Sequence, residues 1–215
     1  MKSQFNKKTI FVFQTKLMSL KKASLFILII LVIDQVSKIY IKTHFMLGEE
    51  VRVFDWFRIL FVENDGMAWG AEIPGAYGKI LLTSFRIIAI GLISYWLWDS
   101  VKKNSPKILI ICQSLILAGA IGNIIDSVFY GVIFDSSLGQ VATLFAEEPY
   151  GQLLKGKVVD MLYFPIYNGI LPEWIPIWGG ERFVFFEPVF NIADTAISTG
   201  FGLLLVFNKK AFPKK

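Results

Sequence analysis

Carboxylates and carboxamides recur in this chain at intervals that put them on one side of a helix. Asn123 and Asp126 stand three residues apart in GAIGNIID, and Asn191 and Asp194 repeat the interval in FNIADTAIS. That spacing brings both side chains to one helical face. Between the two blocks lies KVVDM, where two valines ahead of Asp160 predict a short strand presenting its carboxylate. Two carboxylates held close in a medium of low dielectric do not both ionise; one keeps its proton and the other stays charged. Such a pair can activate a water and protonate a leaving group, which is aspartyl hydrolase chemistry. The plainer alternative is that these acids cap helices or pair with Lys157 or Arg182. Asp34 and Lys38, in DQVSK, are spaced i, i+4 and read first as a structural tie.

Other chemistries lack their residues. There is no HExxH helix for zinc and no GxxxxGK[ST] loop for a nucleotide. With His44 the one histidine and Cys112 the one cysteine, a Cys/His zinc site is implausible and an intramolecular disulfide is ruled out. Ser127 and Ser198 have no histidine or lysine base near them in sequence, which disfavours a serine mechanism. No metal and no cofactor is expected.

The elements that must position these groups are membrane spans. The chain is 54% hydrophobic and 18% charged with mean hydropathy +0.56, against about 25% charged in an average soluble domain. Crossing a bilayer core takes about 20 predominantly apolar residues. Four stretches qualify, near 23–41, 80–98, 108–125 and 189–207. The expected fold is a mainly α membrane protein of four transmembrane helices, with small β-containing segments outside the membrane. Thirteen lysines fall in residues 1–22, in the connector after the second span and in the tail from 209. Residues 42–79 and 127–188 carry more acids than bases. Basic flanks stay in the cytoplasm, so both termini are expected inside and both long segments outside. Asp126, Asp160 and Asp194 then gather at the outer interface. The net charge of +5 serves topology and anionic headgroups, not nucleic acid.

The organisation that follows is a basic extension 1–22, a membrane domain 23–208 and a basic tail 209–215. A basic stretch before an apolar run also describes a signal peptide, but no small-x-small site follows it, so the first helix is expected to be retained. Met18 heads a plausible alternative start. In 42–79, VRVFDWFRILFVEN interleaves aromatics, β-branched residues and charges and predicts a strand or hairpin, with a turn at Asp65-Gly66. Residues 127–188 hold no convincing long helix, and connections of that length are usually functional. Trp174, Trp178, Phe183, Phe185 and Phe186 there suit a membrane interface or a lipid-facing groove.

Five blocks, in order, resemble the lipoprotein signal peptidase (signal peptidase II) family: DQVSK at 34–38, ENDGMAWG at 63–70, GAIGNIID at 119–126, KVVDM at 157–161 and FNIADTAIS at 190–198. The likeness covers essentially all of 23–208. It implies an intramembrane aspartic endopeptidase of the bacterial inner membrane, multi-pass, with its site at the extracytoplasmic face. The enzyme would cut the signal peptide from a diacylglyceryl-modified prolipoprotein just before the lipidated cysteine. The catalytic pair maps to Asp160 and Asp194. Asn64 and Gly66, in the NxGxA block, would contact or orient substrate. Asn123, Asp126 and Asn191 would shape the site by hydrogen bonding, with Asp34 and Lys38 in support. Family inhibitors such as globomycin would bind the same site, and a monomer among membrane lipid is expected. Two departures stand out: Ser127 where many members have Arg, and intervals around Asp160 longer than usual, which add an insertion at 127–156. Cys112 lies mid-span without the small residues that precede a lipidation cysteine, so the chain reads as processor and not substrate. The competing readings are a proton-coupled transporter and a non-catalytic lipoprotein-binding membrane protein. The acids cluster at one face and no inverted repeat is evident, which argues against the transporter.

Overall fold

The computed structural model describes residues 18–65 and 77–213. Gly66, singled out above, lies outside them. α1 (Leu20–His44) is an apolar run capped by the Ser19 side chain, and α2 (Gly78–Lys102) is of the same length. Each has 25 residues and so spans about 37 Å, enough to cross a bilayer. α3 (Lys107–Ile125) continues through a π-helical stretch (Asp126–Tyr130) into α4 (Gly131–Ile133). Among the described residues three helices are therefore long and apolar enough to cross a membrane.

The fourth expected span differs from the observed one. Val189 and Phe190 form a strand, β6, and the helix α5 runs only from Ile192 to Val206. The physical reason is pairing: Val189 and Phe190 are taken up by Tyr163 and Leu162 of a neighbouring strand, and a run of Val and Phe serves either geometry. After α5 the chain turns at Phe207 into α6 (Asn208–Ala211). Just past the expected second span, the last turn of α2 holds an acid, Asp99, paired with Lys103 at 2.7 Å.

Small residues let the helices touch. A Cβ on Gly119 would stand 2.2 Å from the carbonyl oxygen of Ala193, and one on Gly200 would stand 2.8 Å from that of Cys112. α3 and α5 are thus in backbone contact, α3 sits between α1 and α2, and α1 also touches α5. Outward faces are apolar and bare: Leu25 and Val36 of α1, Phe85 and Leu92 of α2 and Leu205 of α5 are exposed. A belt of that kind is stable in lipid and not in water.

Above the bundle a four-stranded antiparallel sheet runs in the order β1-β2-β3-β6. β1 (Glu50–Phe54) and β2 (Phe57–Asn64) form the expected hairpin, and β3 (Val158–Tyr163) is the strand expected at KVVDM. Alternation along β3 divides labour between its faces. Val159 and Met161 enter a core with Phe61, Tyr130 and Phe134. Asp160 takes the other face. The segment after α4 is largely irregular and is tied down at Met46–Val141 and Phe134–Leu144. A separate two-stranded ribbon joins β4 (Tyr167–Ile170) to β5 (Arg182–Phe185).

Candidate active site

α5 begins with a polar cap. Asn191 is its N-cap, accepting from the Asp194 amide at 2.8 Å, while Asp194 Oδ2 accepts from the Asn191 amide at 3.3 Å. That reciprocal box satisfies two of the amides a helix start leaves open. A third, the Ala193 amide, donates to Asp34 Oδ1 of α1 at 2.8 Å. Negative groups are favoured at this end of a helix, so the local fold accounts for two carboxylates at one point.

Asn191 also reaches β3. Its Nδ2 donates to Asp160 Oδ1 at 2.7 Å and lies 3.2 Å from the Val159 carbonyl oxygen. The other oxygen of Asp160 accepts from the Asn64 amide. Sheet register explains this reach. Val62 faces Asp160 and Asn64 faces Val158, so Asn64 is the diagonal neighbour of Asp160 on the same face. Asp194 Oδ1 accepts from Asn123 Nδ2 at 2.7 Å. Asn191 and Asn123 are joined at 3.1 Å. The structure therefore brings Asp160, Asp194, Asn64, Asn123 and Asn191 into one network.

Below it Lys38 is fully buried. Its ammonium meets Asp126 at 2.7 Å, Asn123 at 2.9 Å and Asp34 at 3.1 Å, one acceptor for each of its three protons. The i, i+4 tie expected between Asp34 and Lys38 is present, and Asp126 shares the same cation. Asp126 also accepts from the Val159 amide at 3.3 Å, which places it under β3.

Asp160 is only 4% exposed. Burial pushes its carboxyl up to about 8, and the charge of Asp194 adds to that, while Lys38 and the Asn191 hydrogen bond pull the other way. Asp194, at the start of its helix, is half-buried. One carboxyl that holds its proton beside another that is wetter is the asymmetry that acid–base work on a carbonyl needs.

Sequence reasoning passed over Gln35, Lys42 and Glu63. Gln35 Nε2 lies 3.0 Å from Asp126 and 3.1 Å from Asp34, and its carbonyl accepts from Tyr130. Lys42 is buried, pairs with Glu63, donates to Ser137 at 2.9 Å and sits 4.9 Å from the Tyr150 ring centre. The signal was available, since Asp34, Lys38 and Lys42 repeat every four residues along one face of α1. Of the cations considered as alternative partners for the acids, Lys157 lies 4.0 Å from Glu63 and Arg182 is on the β4–β5 ribbon. His44 is the last residue of α1, exposed and stacked on Tyr40.

The family model described as signal peptidase (SPase) II matches residues 26–209. A lipoprotein signal peptidase of Porphyromonas gingivalis is 50% identical over 196 residues, covering 90% of this chain and 85% of that protein. One from Amoebophilus asiaticus is 39% identical over 191 residues, covering 86% and 75%. Among solved structures, a bacterial membrane enzyme determined in meso at 2.3 Å aligns over 91% of this chain and 94% of its own. Its TM-score is 0.57 and its identity 24%, a likeness of fold.

Proposed function

The chain belongs to the signal peptidase II family, aspartic-type membrane peptidases that cleave signal peptides from prolipoproteins, and we propose that Asp160 and Asp194 are its catalytic dyad. The observation that carries this reading is the bridge made by Asn191, which binds Asp160 through its side chain and Asp194 through its cap. Asp160, with its pKa near 8, carries the proton at neutral pH and polarises the scissile carbonyl. Asp194, acting as the base, takes a proton from water, and the resulting hydroxide adds to the carbonyl carbon as Asp160 gives its proton to the carbonyl oxygen. Asp194 then passes its proton to the departing amine, and the collapsing diol returns one to Asp160, so both carboxyls end as they began.

Asn64 anchors the side of Asp160 turned toward the hairpin, where the substrate backbone would lie. Gly66, two residues on in the same NxGxA block of sequence, is assigned to substrate contact with it. Asn123, Asp126, Asp34 and Lys38 form the polar floor that keeps Asn191 and Asp194 in place. The substrate is a diacylglyceryl-modified prolipoprotein, which enters sideways from lipid with its signal helix and is cut before the modified cysteine. Globomycin-type inhibitors of the family would occupy the same groove, and the working unit is a monomer. The orientation has both termini in the cytoplasm of a bacterial inner membrane and the dyad at the extracytoplasmic face. It is supported by Lys102 over Trp98 and Lys210 over Phe207, cations at the helix ends far from the carboxylates, as the positive-inside rule requires.

The test is a gel-shift assay of lipidated precursor with purified Asp160→Asn and Asp194→Asn. Both variants should insert in membrane and leave the precursor uncut; full activity in either overturns the dyad.

A further inference from the structure

The β4–β5 ribbon takes no part in the dyad. Its strands pair with each other, whereas the four-stranded sheet ends at β6. Tyr167 faces Phe185, and Gly169 faces Phe183. Alternation therefore puts Tyr167, Phe183 and Phe185 on one side of the ribbon, where they are 44%, 42% and 53% exposed. The turn between the strands adds Trp174 at 80%, Ile177 at 86% and Trp178 at 59%. Ile177 is held at φ 76, a backbone region that β-branched residues avoid, with its side chain outward. A lone two-stranded hairpin is marginal in water, and none of the other described strands or helices packs against this one to a comparable extent. Among the described residues nothing covers its aromatic side, and a cover has to come from elsewhere.

Three observations identify that cover as lipid. The first is continuity with the membrane-facing surface. Phe186, next after β5, meets the Phe190 ring edge-on at 6.0 Å, and Phe190 immediately precedes the cap of α5. The base of the ribbon is therefore level with the end of the bundle where α5 starts. The second is length. The 15 residues of α5 reach about 22 Å, some 8 Å short of a hydrocarbon core of about 30 Å. A helix this short keeps its ends at or within the headgroup–acyl boundary, and the ribbon is rooted beside its start. The third is the turn's own hydrogen bonding. The Leu171 amide donates to Glu181 at 2.9 Å, the Gly180 amide to Leu171 at 2.9 Å and the Gly179 amide to Ile175 at 3.0 Å. Internal pairing of this kind is what contact with lipid demands of a backbone, and Trp and Tyr are the residues of the interface. Residues 171–181 hold two glutamates and no cation, which favours zwitterionic over anionic headgroups.

We propose that the β4–β5 ribbon is a membrane-surface anchor, its aromatic side and the Trp174–Trp178 turn embedded at the headgroup–acyl boundary beside the start of α5. The proposal rests on α1, α2 and α3 crossing the bilayer and is independent of the dyad assignment.

The test uses the full chain with Trp56, Trp69, Trp96 and Trp98 changed to Phe, so that emission comes from Trp174 and Trp178 alone. It is reconstituted in phosphatidylcholine nanodiscs that contain nitroxide-labelled lipid. A label near the top of the acyl chain should quench at least about two-fold more than one near its end, as expected for burial some 5–10 Å into the boundary, and aqueous iodide should quench weakly. Strong iodide quenching with no effect of labelled lipid places the turn in water and overturns the proposal. Quenching by neither reagent places it against protein, such as a second copy, and also overturns it. If the four changes prevent folding, Ile177→Cys in a Cys112→Ser chain, carrying a nitroxide side chain, reads the same depth. Oxygen should then collide with the nitroxide more often than a water-soluble nickel chelate does, and the reverse order refutes the anchor.

Discussion

Replacing Lys38 by methionine nearly preserves side-chain length and removes the charge. In the parent, the fully buried ammonium serves Asp126 at 2.7 Å, Asn123 at 2.9 Å and Asp34 at 3.1 Å. Without it, two buried carboxylates have lost the cation they share. Removing one partner of a buried ion pair costs about 3–5 kcal/mol, because the charge left behind is uncompensated. That lowers the folded-to-unfolded ratio by roughly two to four orders of magnitude. Asp126→Asn added to Lys38→Met leaves one carboxylate where there were two, and should return about 1–3 kcal/mol relative to the sum of the single changes. Denaturation midpoints of the parent, both single variants and the double variant in one detergent give that coupling. Any residual activity of Lys38→Met adds a second readout. Lys38 holds the Asp160 carboxyl lower than burial alone would, so in the variant the alkaline limb of the pH–rate profile moves to higher pH. Additivity within about 0.5 kcal/mol, or an alkaline limb that moves down, would refute the shared-cation account.

In the parent itself, a proton on Asp160 is required and its pKa lies near 8, so kcat/KM should hold its plateau at neutral pH and fall about tenfold per pH unit above about pH 8. The same group bears on stability. Its folded pKa exceeds the unfolded value of about 3.9, so its stabilising effect is complete below that value and is lost as pH rises through about 8. The melting temperature of Asp160→Asn relative to the parent should therefore improve between about pH 6 and about pH 9. Gly122→Ala would put a Cβ 2.6 Å from Asp34 Oδ2 and 3.0 Å from the Ala193 Cβ. It should cost about 1–3 kcal/mol by overpacking and reduce cleavage, whereas Gly202→Ala, which meets nothing within 4 Å, should do neither. Asn191→Ala removes the cap of α5 and should lower the thermal midpoint by the equivalent of about 1–2 kcal/mol, with cleavage reduced far beyond what that stability loss explains.

The helices α1, α2 and α3 were legible because long apolar runs have one outcome in lipid. The i, i+3 spacing of Asn123/Asp126 and Asn191/Asp194 was legible, but not that the second pair is the reciprocal cap of α5 or that the first pair meets through Lys38. The start of the last helix was not, because Val189 and Phe190 suit a strand as well as a helix and only their pairing with Tyr163 and Leu162 decides. The segment 134–157 had no period to read. Its shape depends on contacts distant in sequence, such as Ser137 with Lys42 and the Lys157 amide with the Tyr150 hydroxyl. Lys42 was passed over because its partners, Tyr150, Phe134 and Glu63, come from three other segments, and only their meeting gives it a buried place.

The π-helical stretch Asp126–Tyr130 carries a consequence for how this sequence can drift. A π turn holds one residue more than an α turn needs, and it sets the angular offset between Asp126, aimed at Lys38, and Tyr130, aimed at Gln35. Deleting one residue there would let the α period close with the flanks near their present bearing, whereas a deletion in the α-helical turns of α3 would rotate one side of the cut by about 100° against the other. Of the five positions, Asp126 and Tyr130 are held by their partners and by burial, while the exposed Phe129 is free to exchange its side chain. A change of length is thus absorbed more readily in this stretch than in the α-helical turns before it, and a change of identity at Asp126 or Tyr130 is not.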